Sequence, residues 1–254
     1  MIGQFFRYSR LSISLSFVGV SMVILLIPPA ILLYSLEPHR RIHYFGYFWK
    51  IFTKIVLKVG VSAKITAIDR RATFHSIDGR GLVISNHLSM VDIPLMAEHH
   101  IVVPIMKKEV AEIPLFGKII QVVSPITVDR RDPGSRQRSF KECIRRMKMG
   151  WPVQSYPEGT RSKDGIPKPL DKIYPRLIMA AYEYKIPVTP VSLYGTDQIL
   201  TGQGEIRLGK KIGIITHEEV WPQDYDDCDE FVAHVWDIVL GGYNELDKML
   251  KPTS

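Results

Sequence analysis

Along the chain, short apolar runs rich in β-branched residues alternate with longer segments whose apolar positions recur three and four apart. VSAKITAI (61–68), GLVIS (81–85), IVVPIM (101–106), VSPITV (123–128), PVQSY (152–156) and IPVTPVSLY (186–194) read as strands. EIRLG and KIGIITHE, within 205–218, add one or two more as a hairpin. Helical spacing falls between them at 90–98, 135–149, 174–184 and 227–250. This alternation predicts an α/β domain over 61–254, with a mainly parallel or mixed sheet flanked by helices. In such sheets ligands collect beyond the carboxyl ends of the strands, so the loops there hold the candidate chemistry.

The first sixty residues follow a different pattern and read as a membrane-docking module. Residues 11–36, LSISLSFVGVSMVILLIPPAILLYSL, carry no charge over 26 positions. One helix of that length would reach about 39 Å, more than the roughly 30 Å of a bilayer's hydrocarbon core. No small-x-small cleavage site precedes a polar start, so a retained anchor is expected rather than a signal peptide. Pro28-Pro29 interrupts the run and leaves two readings, a kinked span or a re-entrant hairpin. In the following segment, 44–60, Lys50, Lys54 and Lys58 form one helical stripe beside Trp49, Ile51, Phe52, Ile55, Val56 and Leu57. Such a helix lies in a membrane interface, or packs on a core with a solvated lysine face.

Composition narrows the partners. Lysine and arginine number 33 against 26 acids, a net charge of +7 that favours anionic partners. With an apolar anchor at the N-terminus, those partners are membrane lipids rather than nucleic acid. Cys143 and Cys228 form no metal-spaced cluster and read as reduced structural thiols, placing the α/β domain on the cytoplasmic face of a membrane.

Three loop clusters follow apolar strands. In NHLSMVD, Asn86, His87 and Asp92 come directly after GLVIS. On a regular helix five steps leave His87 and Asp92 roughly 140° apart. They meet only if His87 stands in the turn and Asp92 projects back from the first turn of a following helix. The second cluster joins Lys107 and Lys108, Pro114-Leu115-Phe116-Gly117 and Val128-Asp129-Arg130-Arg131; the third is YPEGTRS, 156–162. A neutral imidazole takes a proton from a hydroxyl near pH 7, and a carboxylate on its other nitrogen fixes the tautomer. No GxSxG elbow exists and neither cysteine adjoins a histidine, so the simplest nucleophile is the substrate's own. Arg130, Arg161 and Lys107 are candidate phosphate ligands, while Gly117 and Gly159 would let the backbone approach a ligand closely. Each cluster also has a plain reading: a chance His–Asp spacing, a solvated arginine pair, a turn capped by Glu158. His99-His100 read as structural, without a third ligand or HExxH, so no metal is expected; His217 reads as a surface residue.

In order, NHLSMVD, the lysine-to-VDRR segment containing IPLFGKIIQVVSPITVDRR, YPEGTRS and IPVTPV resemble the four blocks of the 1-acylglycerol-3-phosphate acyltransferase family, over about 86–191. The resemblance implies a thioester donor as co-substrate (acyl-CoA or acyl carrier protein), no cofactor and a lysophospholipid acceptor. It implies His87 as general base and Asp92 as its orienter. Asn86, Lys107, Gly117, Arg130, Glu158, Gly159, Thr160 and Arg161 would bind substrate, Arg130 and Lys107 at the acceptor phosphate. The expected reaction acylates the 2-hydroxyl of 1-acylglycerol-3-phosphate, giving phosphatidate. Alternatives are another lysolipid or lyso-aminolipid acceptor, a thioester hydrolase, and a non-catalytic membrane lipid-binding protein. Two departures stand out: Tyr156 replaces the usual phenylalanine, and PKPLDKIYPRL (167–177) lacks the usual lysine-lysine-glycine turn.

Overall fold

The strands apolar throughout become the middle of one sheet. The computed structural model describes residues 2–71, 81–114, 116–201 and 204–251. Among these, strands β1 (Lys64–Asp69), β2 (Leu82–Ser85), β3 (Val103–Lys107), β4 (Ile126–Val128), β5 (Val153–Ser155), β6 (Val188–Tyr194) and β7 (Lys211–Thr216) form one sheet in the order β1-β7-β6-β2-β5-β3-β4. Every residue of β2 and β6 is buried, as an apolar strand covered on both faces requires. All neighbours are parallel except β6 and β7, so the sheet is mixed.

Helices cover both faces. In β2, Leu82 and Ile84 share a core with α6 (Pro133–Lys148), α7 (Arg176–Glu183) and α9 (Cys228–Leu250), whose Phe231, Val235, Trp236 and Val239 are buried. Val83, between them, points to the opposite layer, where it meets Leu95 and Met96 of α3 (Asp92–His99) and Ile199 of α8 (Thr196–Ile199). Short helices α4 (Lys108–Ala111) and α5 (Phe116–Ile120) fill the β3–β4 crossover.

The predicted hairpin at 205–218 is a single strand. Ile206 makes only an isolated bridge to Leu200, and Arg207 donates its N–H to the carbonyl of Ile199. The segment thus folds back on the end of α8, and β7 finds its partners in β6 and β1 instead. The strand expected from Val61 begins at Lys64, because the N–H groups of Val61 and Ala63 bond back to Val56 and Leu57.

At the N-terminus, α1 (Ile2–Leu33) runs through Pro28 and Pro29 and ends at Leu33. The prolines remove two ladder donors, those that would serve the carbonyls of Ile24 and Leu25, within the last six residues of the helix. After a short turn α2 (Pro38–Ile55) returns alongside α1 and extends as a π turn over Val56–Gly60. Leu26 and Ala30 of α1 join Phe45 and Phe52 of α2 in the same core cluster as the sheet. Helix α2 is therefore a core helix on one face, while its Tyr44, Tyr47, Phe48, Ile51 and Lys54, and Lys58 of the π turn, stay exposed on others.

Candidate active site

Strand β2 stops at Ser85, and the two side chains that follow are each set by a partner outside the strand. Asn86 is fully buried: its Nδ2 donates to the carbonyl of Leu193 at 2.8 Å, and its Oδ1 accepts from the Leu193 N–H at 2.8 Å. That clamp ties the end of β2 to β6 and leaves His87 in the turn. Asp92, the first residue of α3, then projects back, and its Oδ2 stands 2.7 Å from Nδ1 of His87. The five-residue spacing therefore resolves as a turn followed by a helix start.

Asp92 is fully buried but amply partnered. Its Oδ2 also accepts from the N–H groups of Leu88 (2.7 Å) and Ser89 (2.9 Å), and its Oδ1 from the hydroxyl of Thr196. A carboxylate so provided with donors is sustainable out of water, and it makes Nδ1 of His87 the protonated ring nitrogen. The lone pair on Nε2 then faces outward from a side chain that keeps 15% exposure.

The YPEGTRS loop grips the same histidine by its backbone. Glu158 Oε1 accepts from the His87 N–H at 2.8 Å, and the Ser162 N–H donates to the His87 carbonyl at 2.8 Å. Glu158 Oε2 accepts from the Lys168 N–H at 3.2 Å, while Lys168 Nζ donates to the Glu158 carbonyl at 2.9 Å. Burial pushes the Glu158 carboxyl up to about 7, against the lowering effect of those two N–H donors. At the start of the loop, the ring of Tyr156 stacks on the His87 imidazole, centroids 4.1 Å apart.

The cationic residues arrive from the neighbouring strand ends. Lys107 closes β3, Arg130 follows β4, and β3 and β4 pair through Lys107 and Val128. Both side chains are exposed, and Arg130 Nη1 donates to the carbonyl of Gly159 at 2.7 Å. Thr160 and Arg161 are exposed on the same loop as Glu158. Gly159 has φ +66°, and a Cβ there would come within 2.9 Å of the Tyr174 ring. The Tyr174 N–H in turn donates to the carbonyl of Pro157 at 2.7 Å, so the unusual 167–177 segment closes directly over this loop. His87, Asp92, Gly159, Thr160, Arg161, Arg130 and Lys107 thus gather along the carboxyl ends of β2, β5, β3 and β4.

Three expected substrate ligands are placed otherwise. Both ends of the Asn86 amide are taken by Leu193, and both oxygens of Glu158 by backbone N–H groups, so these two hold the loops that carry His87. Gly117 is buried in α5, where a Cβ would lie 2.0 Å from the Ala111 carbonyl; its smallness lets α5 approach α4 rather than a ligand approach the backbone. Leu115, in the same cluster, lies outside the described residues. His217 is buried rather than on the surface: Nε2 meets Ser192 Oγ at 2.8 Å, and burial lowers the imidazole to about 4. His99 and His100 are held at about 4 and about 3, burial being the main cause, and His100 bonds to Thr216 Oγ1. Among the described residues no three His, Cys, Asp or Glu side chains form a metal-binding group. Both cysteines are free, and burial raises the Cys143 thiol to about 12.

Thr196 and Lys168 were not among the expected site residues. Thr196 lies 104 residues from the carboxylate it serves. Lys168 falls within the departing 167–177 segment, which was the one available clue.

A chloroplastic 1-acyl-sn-glycerol-3-phosphate acyltransferase of Brassica napus is 29% identical over 220 residues, 84% of this chain and 61% of the relative. A chloroplastic protein of the same name from Arabidopsis thaliana is 29% identical over 211 residues, 82% of this chain and 56% of the relative. The chain therefore spans somewhat over half the length of these relatives. The crystal structure of the 1-acyl-sn-glycerophosphate (LPA) acyltransferase PlsC from Thermotoga maritima superposes with a TM-score of 0.78 at 24% identity, covering 97% of this chain and 98% of that one, and so shares its fold. Residues 63–194, which contain every loop just described, match the Acyltransferase family, and the chain belongs to that family.

Proposed function

We propose that the chain transfers an acyl group from a thioester, acyl-CoA or acyl carrier protein, to the 2-hydroxyl of 1-acylglycerol-3-phosphate, making phosphatidate. The observation that carries this reading is the His87–Asp92 pair at 2.7 Å, with Arg130, Arg161 and Lys107 exposed around the same strand ends. His87 Nε2 takes the proton of the acceptor hydroxyl as its oxygen attacks the thioester carbonyl. The imidazolium is stabilised by the Asp92 carboxylate against its Nδ1–H. The carbon–sulfur bond then breaks, and the departing thiolate receives the proton. The acceptor phosphate binds to Arg130 and Lys107; a guanidinium has five N–H donors, and Arg130 spends one on Gly159.

The reading places the enzyme on a membrane with its catalytic domain on the cytoplasmic side. Support comes from Ser16–Leu33, long and apolar enough to cross a bilayer, and from the exposed Val20, Ile24, Ile31 and Leu32 of α1. Tyr44, Tyr47, Phe48 and Ile51 on α2 add exposed rings and apolar area suited to an interface. The test supplies purified protein with acyl-CoA or acyl carrier protein donors and a panel of lyso acceptors. Phosphatidate formed in preference to other diacyl products supports the reading. Free fatty acid released without an acceptor, or no turnover with any acceptor, refutes it.

A further inference from the structure

The Tyr156 ring lies nearly parallel to the His87 imidazole, the planes 19° apart. Its hydroxyl is buried beside Ser85 and Gln154, without a well-formed hydrogen bond to either. Register explains the grouping. Val83 pairs with Gln154 on one side and with Thr189 on the other, so these two side chains leave the same face of the sheet. Ser85 and Tyr156, each two residues further along, continue that face. Ser85 Oγ, Gln154 Nε2, Tyr156 OH and Thr189 Oγ1 are all buried there, in a layer otherwise built from residues such as Val83, Val191 and Leu95. Polar groups in an apolar layer cost stability, and a phenylalanine at 156 would be the cheaper core.

We propose that Tyr156 is a positioning residue for the base, an inference that rests on the acyl-transfer reading above. The imidazole is held at two points, by its bond to Cβ and by the Nδ1 hydrogen bond to Asp92. The flat Tyr156 ring against one face adds a third, and together they fix the direction of Nε2. The ring is held in that position by the apolar layer it packs against, which a phenylalanine would meet equally. The stack also acts on charge. When the acceptor proton arrives the imidazole becomes a cation over an aromatic face, an attraction that exists only after proton transfer begins. The ring therefore lowers the barrier rather than tightening substrate binding.

The experiment compares parental protein with Tyr156→Phe, Tyr156→Leu and His87→Ala, all full-length in lipid–detergent micelles, with thermal unfolding measured for each. Removing the ring in Tyr156→Leu is expected to lower kcat about tenfold while the KM of each substrate stays within about twofold. Tyr156→Phe keeps the ring and should stay within about threefold of parental kcat. A second readout needs no turnover: in protein carrying 13C-labelled histidine, the ring current of Tyr156 moves the His87 ring-proton resonance upfield. The resonance is identified by its loss in His87→Ala; the upfield shift persists in Tyr156→Phe and disappears in Tyr156→Leu. Unchanged kcat in Tyr156→Leu, equal losses in both Tyr156 variants, or an unshifted His87 resonance in parental protein overturns the proposal. Parental turnover in His87→Ala would instead overturn the base assignment, and the ring-current shift would then report the stack on its own.

Discussion

Replacing Glu158 by glutamine tests whether the grip on His87 depends on a buried carboxyl. Glu158 is fully buried, and its carboxyl is lifted from the ordinary glutamate value of 4.5 to about 7, chiefly by burial. Between those values the folded protein holds a proton that the unfolded chain has released. Stability therefore falls as pH rises: the contribution is complete below about 4.5 and gone above about 7. Two and a half decades of proton affinity correspond to about 3 kcal/mol. Glu158→Gln carries no ionisable group, so the difference between parental and variant unfolding free energies should change by about that amount between pH 4.5 and 7.5. Chemical denaturation in micelles across that range measures it, and taking the difference cancels the other titrating groups. The variant also places an amide N–H₂ against one of the two backbone N–H donors, at a cost of about 1–3 kcal/mol at every pH, which adds a constant offset. Parallel pH curves for the two proteins would refute the argument, because they would mean that the carboxyl titrates normally in the folded state.

Asp92→Asn keeps the shape of the buried site but removes the charge that holds Nδ1 protonated; kcat should fall by about 10³–10⁴, as steady-state assay would show. Arg130→Lys keeps the positive charge and loses the planar fork, so KM for the acceptor is expected to rise about tenfold while KM for the donor stays put. In Asn86→Ala the two hydrogen bonds to Leu193 are lost and buried backbone groups are left unpaired, at a cost of about 2–4 kcal/mol. A lowered midpoint in thermal unfolding would show this, with acceptor KM little changed in the protein that remains folded; a large KM effect without a stability loss would return Asn86 to the substrate site.

The strands, the long C-terminal helix and the His87–Asp92 pair were legible in the linear pattern because each depends on neighbours close in the chain. GLVIS is apolar at every position, and a strand covered on both faces requires that. The helix over 227–250 shows its 3.6 period and begins at Cys228, capped by Asp227, whose carboxylate accepts from the Glu230 N–H. NHLSMVD carries both ends of its hydrogen bond within seven residues. Pro28-Pro29 was legible only as a disturbance: the local rule predicts a break, whereas contacts of Leu26 and Ala30 with α2 carry the helix on to Leu33.

Taken alone, the sequence determined the fold class, the order of the functional loops and which carboxylate faces which imidazole, since periodicity and short spacing encode these directly. Only the tertiary structure decided which polar residues are spent on the scaffold and which stay exposed at the strand ends. Asn86, Glu158 and Thr196 look equally chemical as letters. Their hydrogen-bond partners lie 107, 71 and 104 residues away. A buried polar side chain must satisfy whichever backbone groups the fold brings beside it, and that requirement is written in the packing of distant strands rather than in the neighbouring sequence.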